Sequence, residues 1–314
     1  MHIAATSDWR FEFVLSRDVR TAAARSEISR REARGELVRV TRGAYLPSSL
    51  WKAADRDERF RMRIRAVLSV ASEELTLSHA SAAAIWRLPW FGPWPDRIDA
   101  VTSRSYGGHS TDMVRRHVPG SDSEPVVIDG IRVTSLARTV VDIARWPGFS
   151  RAVVVGDAAL NDKTRQNLAA PAFVDDDILH AELQGGRTRY AASRAHDVLT
   201  FLDGRSASPG ESVSRTSIWR AGLPPPVLQQ AFSPWFVDFW WPDSGLIGEF
   251  DGDAKYLDQR FRAGRSPAEV FLDEKAREDS LRRRSRGFAR WGWDVARSPS
   301  ALASRLLHAG LRSP

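Results

Sequence analysis

The sequence predicts a multidomain α+β protein, and three observations carry that expectation. Its 314 residues exceed what one hydrophobic core usually organises. Runs with helical apolar spacing and runs with strand-like character follow one another along the chain. The stretch Asp203-Gly204-Arg205-Ser206-Ala207-Ser208-Pro209-Gly210 has the composition of a linker. The expected organisation is three segments: 1–50, 51–202 and 203–314.

Residues 1–50 read as helix, helix and hairpin. Ser16 is a candidate N-cap for a helix over Arg17–Ala24, and a second helix runs over Glu27–Arg34 until Gly35 stops it. Leu37–Val40, the turn Thr41-Arg42-Gly43 and Ala44–Leu46 then read as strand, turn and strand. This order is that of a winged helix-turn-helix. In that arrangement Ser29, Arg30, Arg31 and Arg34 face the major groove of double-stranded DNA, and Arg39 and Arg42 of the wing lie near phosphates. The alternative is that these arginines only solvate a small helical hairpin.

The middle segment alternates helices and short strands. An arginine-rich helix over Arg56–Ser72 places Phe60, Ile64, Val67 and Leu68 on one buried face. His79 sits near the start of a short alanine-rich helix and reads as a capping or core histidine. Strands are expected at Arg97–Thr102, Met113–Val118, Val126–Ile128 and Ile131–Val133, the last two joined by the Asp129-Gly130 turn. Helices follow over Ser135–Trp146, from Ser150 to about Leu160 and over Tyr190–Phe201. Asp175-Asp176-Asp177 reads as an acidic helix N-terminus, since adjacent side chains do not converge on one ion.

The last segment carries the chemistry. Glu211 opens a helix ended by Gly222, and Trp235–Trp240 and Leu246–Asp251 flank the turn Pro242-Asp243-Ser244-Gly245. A two-residue loop at Asp243-Ser244 sets Asp238 opposite Glu249, so that Asp238, Glu249 and Asp251 project from one face. Three such carboxylates amid Phe and Trp call for a divalent cation with oxygen ligands, Mg²⁺ by default. The alternative is that one or more of them point to solvent and pair with arginines of the following helix. That helix runs from the capping box Ser266-Pro267-Ala268-Glu269 to Arg284, and a last strand spans Phe288–Val295. Lys255 and Lys275 flank the carboxylates and are candidates to orient water or hold the scissile phosphate. Arg282, Arg283, Arg284 and Arg286 read as a phosphate-facing patch or a solvated helix end.

Composition narrows the classes. The absence of cysteine removes disulfides, thiolate nucleophiles and cysteine-ligated metals. No window approaches 18 uninterrupted apolar residues and the N-terminus lacks a signal pattern, so the expectation is a cytoplasmic protein with no membrane partner. The net charge of +7 is uneven: residues 1–65 contribute +6, residues 66–200 contribute −2 and residues 201–314 contribute +3. Basic ends around a neutral middle suit a nucleic-acid-binding module on a scaffold.

Two resemblances follow from these residues. Ser29-Arg30-Arg31, with Gly35-Glu36-Leu37-Val38-Arg39-Val40-Thr41-Arg42-Gly43-Ala44-Tyr45, resembles the N-terminal winged helix of the AbiEi family of antitoxins from type IV toxin–antitoxin systems. Val133-Thr134-Ser135-Leu136-Ala137-Arg138-Thr139-Val140-Val141-Asp142 is similar to a stretch of actinobacterial proteins carrying that domain. The C-terminal third resembles the very-short-patch-repair (Vsr)-like branch of the PD-(D/E)XK restriction-endonuclease fold, with Glu211, Asp238 and Glu249-Phe250-Asp251-Gly252 at the acidic positions. The resemblance implies an αβββαβ-like scaffold and a Mg²⁺-dependent phosphodiesterase core, and the N-terminal one implies a cognate toxin protein as a partner. Asp251 stands where the E-x-K pattern has lysine, so either Lys255 or Lys275 takes that role or the domain binds DNA without cutting it.

Overall fold

The computed structural model describes residues 13–102, 110–118, 123–186, 189–252 and 267–312, the side chains of 267–271 and 274 excepted. It is a mixed α+β protein with several sheets. Its packing divides the chain into two units, Met1–Pro147 with Arg165–Leu199, and Gly148–Thr164 with Thr200–Pro314.

The first unit opens with β1 (Val14–Leu15), a 3₁₀ turn at Ser16–Asp18, α1 (Ala22–Ala33), β2 (Leu37–Thr41) and β3 (Ala44–Pro47). Sequence reading expects two helices before the hairpin, whereas the described residues form one. Val19 and Thr21 are extended, and Thr21 rather than Ser16 caps the helix, its hydroxyl accepting the Ala24 N–H at 3.2 Å. Gly35, at φ +72°, releases the chain into β2. The three strands form a sheet in the order β1-β3-β2, with the irregularity in pairing between Arg39 and Thr41.

The chain continues through α2 (Ser48–Ala53), α3 (Arg56–Val70), β4 (Thr76–Leu77), α4 (His79–Trp86), β5 (Ile98–Val101), β6 (Val114–His117), β7 (Val126–Ile128), β8 (Ile131–Val133) and α5 (Leu136–Arg145). Helix α3 packs on β2 and β3, which is why residues 1–50 belong to the same unit as the segment after them. Strands β4 to β8 form a second sheet in the order β6-β5-β4-β8-β7. Asp129 and Gly130 both take positive φ, 50° and 73°, the mirror-image turn that joins β7 to β8 as the sequence expects.

Next come α6 (Phe149–Leu160), α7 (Asp162–Arg165), α8 (Asp176–Gln184), α9 (Ala192–Phe201) and α10 (Pro209–Arg220). Asp175 caps α8 by accepting the Ile178 N–H at 2.8 Å, so the three aspartates do mark a helix start. Helices α6 and α10 pack together in the second unit. Buried Asp157 of α6 ties them, accepting from Ser212 and Arg215, each at 2.7 Å.

The rest of the second unit is β9 (Val227–Phe232), β10 (Trp235–Trp241), β11 (Leu246–Phe250), α11 (Pro267–Arg283), β12 (Gly287–Trp291), α12 (Trp293–Ala296) and α13 (Pro299–His308). From α10 to β12 the order is αβββαβ, and the sheet runs β12-β11-β10-β9 with β12 parallel to β11. The expected last strand stops short, because Gly292 starts the turn α12 where Val295 was read as strand. Successive β11 residues serve opposite faces. Ile247 packs with Leu281 of α11, whereas a Cβ on Gly210 of α10 would meet the Phe250 ring. Helices α10 and α11 therefore cover the two faces of this sheet.

Candidate functional site

The hairpin register is the expected one where β10 meets β11: Phe239 pairs with Gly248, Trp240 with Ile247 and Trp241 with Leu246. The ladder stops there. At the next position the Asp238 carboxylate, in place of a main-chain carbonyl, accepts the Phe250 N–H at 2.9 Å. Alternation also slips at this point, since Val237 and Trp240, three residues apart, border the same cluster with Phe232, Ile247 and Leu281. Across the sheet, Gln229 of β9 sits at φ +48°, a left-handed conformation that a non-glycine side chain takes only when its surroundings hold it there.

Gln229 joins two of the predicted carboxylates. Its amide nitrogen donates to Glu211 at 3.0 Å and to Asp238 at 3.2 Å. Glu211 is 6% exposed and is also the third residue of a capping box: it accepts from the Ser208 hydroxyl and from the Ala207 N–H, while Ser208 accepts the Glu211 N–H. The α10 N-terminus thus orients Glu211 toward Asp238.

Glu249 is engaged differently. Arg277 of α11 forks onto both of its oxygens and Arg290, its register partner on β12, donates at 3.0 Å. The pairing with Arg277 is the one the alternative expected, but Glu249 is buried where that alternative turned it to solvent, and Arg290 comes from β12. Asp251 is half-buried, with its backbone N–H on the Trp291 carbonyl at 2.8 Å. Lys275 is exposed on α11, and Lys255 lies outside the described residues. The structure therefore joins Glu211 and Asp238 and gives Glu249 to two arginines. Among the described residues no group of three or more acidic, histidine or cysteine side chains stands ready to hold a metal.

Beside the Glu211–Asp238 pair lies a cavity of about 280 Å³ within the second unit. Lys163, Arg205, Ala207, Gln229 and Phe236 line it. Arg205 is clamped by Asp203, at 3.0 and 2.7 Å.

In the first unit, the proposed groove-facing side chains are largely neutralised by their own helix and its exit. Glu27 pairs with Arg30 and Arg34, and Glu36 with Arg31 and Arg34. Hydrogen bonding to Glu36 and Glu27 holds the Arg34 guanidinium above its usual range, and Arg34 in turn holds Glu36 below the usual carboxylate range. Ser29 is exposed and its hydroxyl donates to the Arg25 carbonyl. Arg39 and Arg42 are exposed on the hairpin with no partner among the described residues.

A buried polar cluster that the sequence did not reveal occupies the same unit. The His79 ring stacks on His117 of β6, centroids 3.8 Å apart, and lies tilted against Trp146 at 4.7 Å. Buried Asp99 accepts from His117 at 2.9 Å, and buried Asp142 pairs with Arg138 at 2.6 Å. Burial, then the charges of His117 and the nearby arginines, holds His79 well below the usual histidine range. Burial raises Asp99 and Asp142. Arg138 and Asp142 are four residues apart on α5, but His79, Asp99, His117 and Trp146 come from separate elements, so no local spacing announces the cluster as a whole.

No family model matches this chain. It is similar to the Uncharacterized protein Rv2248 of Mycobacterium tuberculosis (strain ATCC 25618 / H37Rv), 32% identical over 192 residues, covering 57% of this chain and 62% of that protein. The Uncharacterized protein MT2308 of Mycobacterium tuberculosis (strain CDC 1551 / Oshkosh) matches to the same extent, 32% over 192 residues. The chain thus spans about three fifths of the length of the relatives it matches. Among the described residues no helix is long and apolar enough to cross a membrane.

Proposed function

We propose that this is a double-stranded-DNA-binding protein of the antitoxin or transcriptional-regulator type whose C-terminal unit hydrolyses phosphodiesters with Mg²⁺. The observation that carries the catalytic part is the Glu211–Gln229–Asp238 linkage on an αβββαβ unit. The donor set suits Mg²⁺, which takes one or two carboxylates and fills the rest of its octahedron with water and substrate phosphate oxygens. Asp238 and Glu211 would hold the ion, which supplies charge to the scissile phosphate and a more acidic water. Gln229 bridges the two carboxylates through its amide nitrogen, which a bound ion would displace, and the exposed Arg39 and Arg42 supply phosphate contacts in the other unit. The winged-helix reading of residues 1–50, and with it a toxin partner, rests on sequence resemblance and on the hairpin and its arginines.

A second reading, a DNA-binding regulator whose C-terminal unit binds without cutting, is favoured by one observation. Glu249 is neutralised by Arg277 and Arg290, and Asp251 stands in place of the lysine of E-x-K. The deciding experiment incubates supercoiled plasmid with protein in Mg²⁺, Mn²⁺ or EDTA beside Asp238→Asn. That variant keeps one acceptor oxygen for its N–H donors while removing the charge. Metal-dependent nicking that the variant loses establishes hydrolysis; retardation of the plasmid without nicking establishes the second reading.

A further inference from the structure

The cavity beside Glu211 and Asp238 has a composition that the metal chemistry does not use. Its volume of about 280 Å³ lies near the lower end of small-molecule sites, large enough for one flat ring system and its attached groups. Phe236 is 61% exposed at its rim, an aromatic face turned to solvent on a strand whose neighbours Val237 and Phe239 are fully buried. The backbone that carries that ring is held, because Arg277 donates to the Phe236 carbonyl at 3.3 Å. Lys163 brings an ammonium group to the same lining, which also holds Asp162 and the Asp203-paired Arg205. Gln229 forms part of the wall while its amide nitrogen is committed to both carboxylates, so whatever fills the cavity is one side chain away from the proposed hydrolytic pair.

We propose that this cavity receives a single unstacked nucleotide of a DNA strand, with its base stacked on Phe236 and its phosphate beside Lys163. The substrate of the C-terminal unit is then single-stranded DNA or a strand locally released from its duplex. A paired and stacked base cannot enter a concave site, whereas an extruded or single-stranded one can. Aromatic platforms joined to cationic grooves are the sequence-tolerant means of holding such strands. This proposal rests on the reading of the C-terminal unit as one that acts on nucleic acid.

The test needs no catalysis. Fluorescence anisotropy in EDTA measures binding of a labelled single-stranded oligonucleotide and of the same sequence as a duplex, for the wild type, Phe236→Ala, Phe236→Trp and Lys163→Ala. Loss of one stacked base raises the single-strand Kd about tenfold in Phe236→Ala. Phe236→Trp restores it, Lys163→Ala makes its dependence on salt shallower, and the duplex Kd stays within about twofold in Phe236→Ala. Unchanged single-strand binding in Phe236→Ala, or an equal loss on both substrates, overturns the proposal and leaves the nucleic-acid reading standing. A wild type that binds neither substrate overturns that reading as well. Because Phe236 is exposed, matched melting temperatures exclude a folding defect.

Discussion

Glu249 shows how a carboxylate that sequence assigns to a metal can instead serve the fold. Glu249 is 5% exposed and holds Arg277 and Arg290, so removing it takes their shared buried carboxylate from both guanidinium groups, leaving Arg290 with Glu278 and Arg277 with the Phe236 carbonyl. Breaking one side of such a buried pair costs about 3 kcal/mol, and urea unfolding of Glu249→Ala should show a loss of that size. A change within about 0.5 kcal/mol would mean that solvent already satisfies both arginines. His79 makes a second prediction, on pH. Its folded form is held well below 6.5 and its unfolded form titrates near that value, so between the two the unfolded chain binds the extra proton. The resulting stability is complete above about pH 6.5 and is lost as pH falls toward the folded value. Asp99 and Asp142, raised above 3.8, act in the opposite sense at lower pH, where the folded protein holds protons that the unfolded chain has released. The urea midpoint should therefore fall between pH 7.5 and 5.5. His79→Asn should flatten that slope, since asparagine tolerates the +49° φ of this position and does not titrate. An equal slope in the variant would assign the effect to other groups.

At the scale of elements, the α10 N-terminus couples stability to the candidate site. Ser208 caps the helix and also donates to Glu211, so Ser208→Ala should cost about 1 kcal/mol of unfolding free energy and loosen Glu211. Gly210→Ala should cost more, on the order of 1–3 kcal/mol, because its Cβ would lie 2.0 Å from the Phe250 ring and neither helix nor sheet can move freely. If Gly210→Ala proved the milder of the two, the packing of α10 on β11 would be looser than this geometry. These elements were also the legible ones. The helix between Glu211 and Gly222, the hairpin around Asp243-Ser244 and the Asp129-Gly130 turn are local signals, and each is found where spacing put it. What sequence missed is non-local or irregular. The single helix α1 replaced two because Val19 and Thr21 are extended, a choice that propensity does not encode. The slip of alternation near Asp238 makes side chains leave the two-residue period on which the expected trio of carboxylates depended. Gln229, the residue that links Glu211 to Asp238, carries no charge and no motif, and only its left-handed backbone and its two acceptors mark it.

For the whole molecule, charge is plentiful, but its availability differs between residues that look alike in sequence. A net charge of +7 with a pI near 10.3 favours association with polyanions, yet counterions are released only where a cation is free to meet a phosphate. Arg30, Arg31 and Arg34 are already answered by Glu27 and Glu36, so a phosphate must compete with those carboxylates. Arg39 and Arg42 face no such competition among the described residues. Binding to two unrelated duplexes across a salt series should therefore rank them. Arg39→Ala or Arg42→Ala should weaken both duplexes evenly and make the salt slope shallower by about 1 each, whereas Arg34→Ala should change it less. A variant that loses affinity for only one of the duplexes would instead place its arginine on a base edge. Slopes unchanged by Arg39→Ala and Arg42→Ala together would take the hairpin out of the DNA interface and leave the excess charge of residues 1–65 without a role in binding.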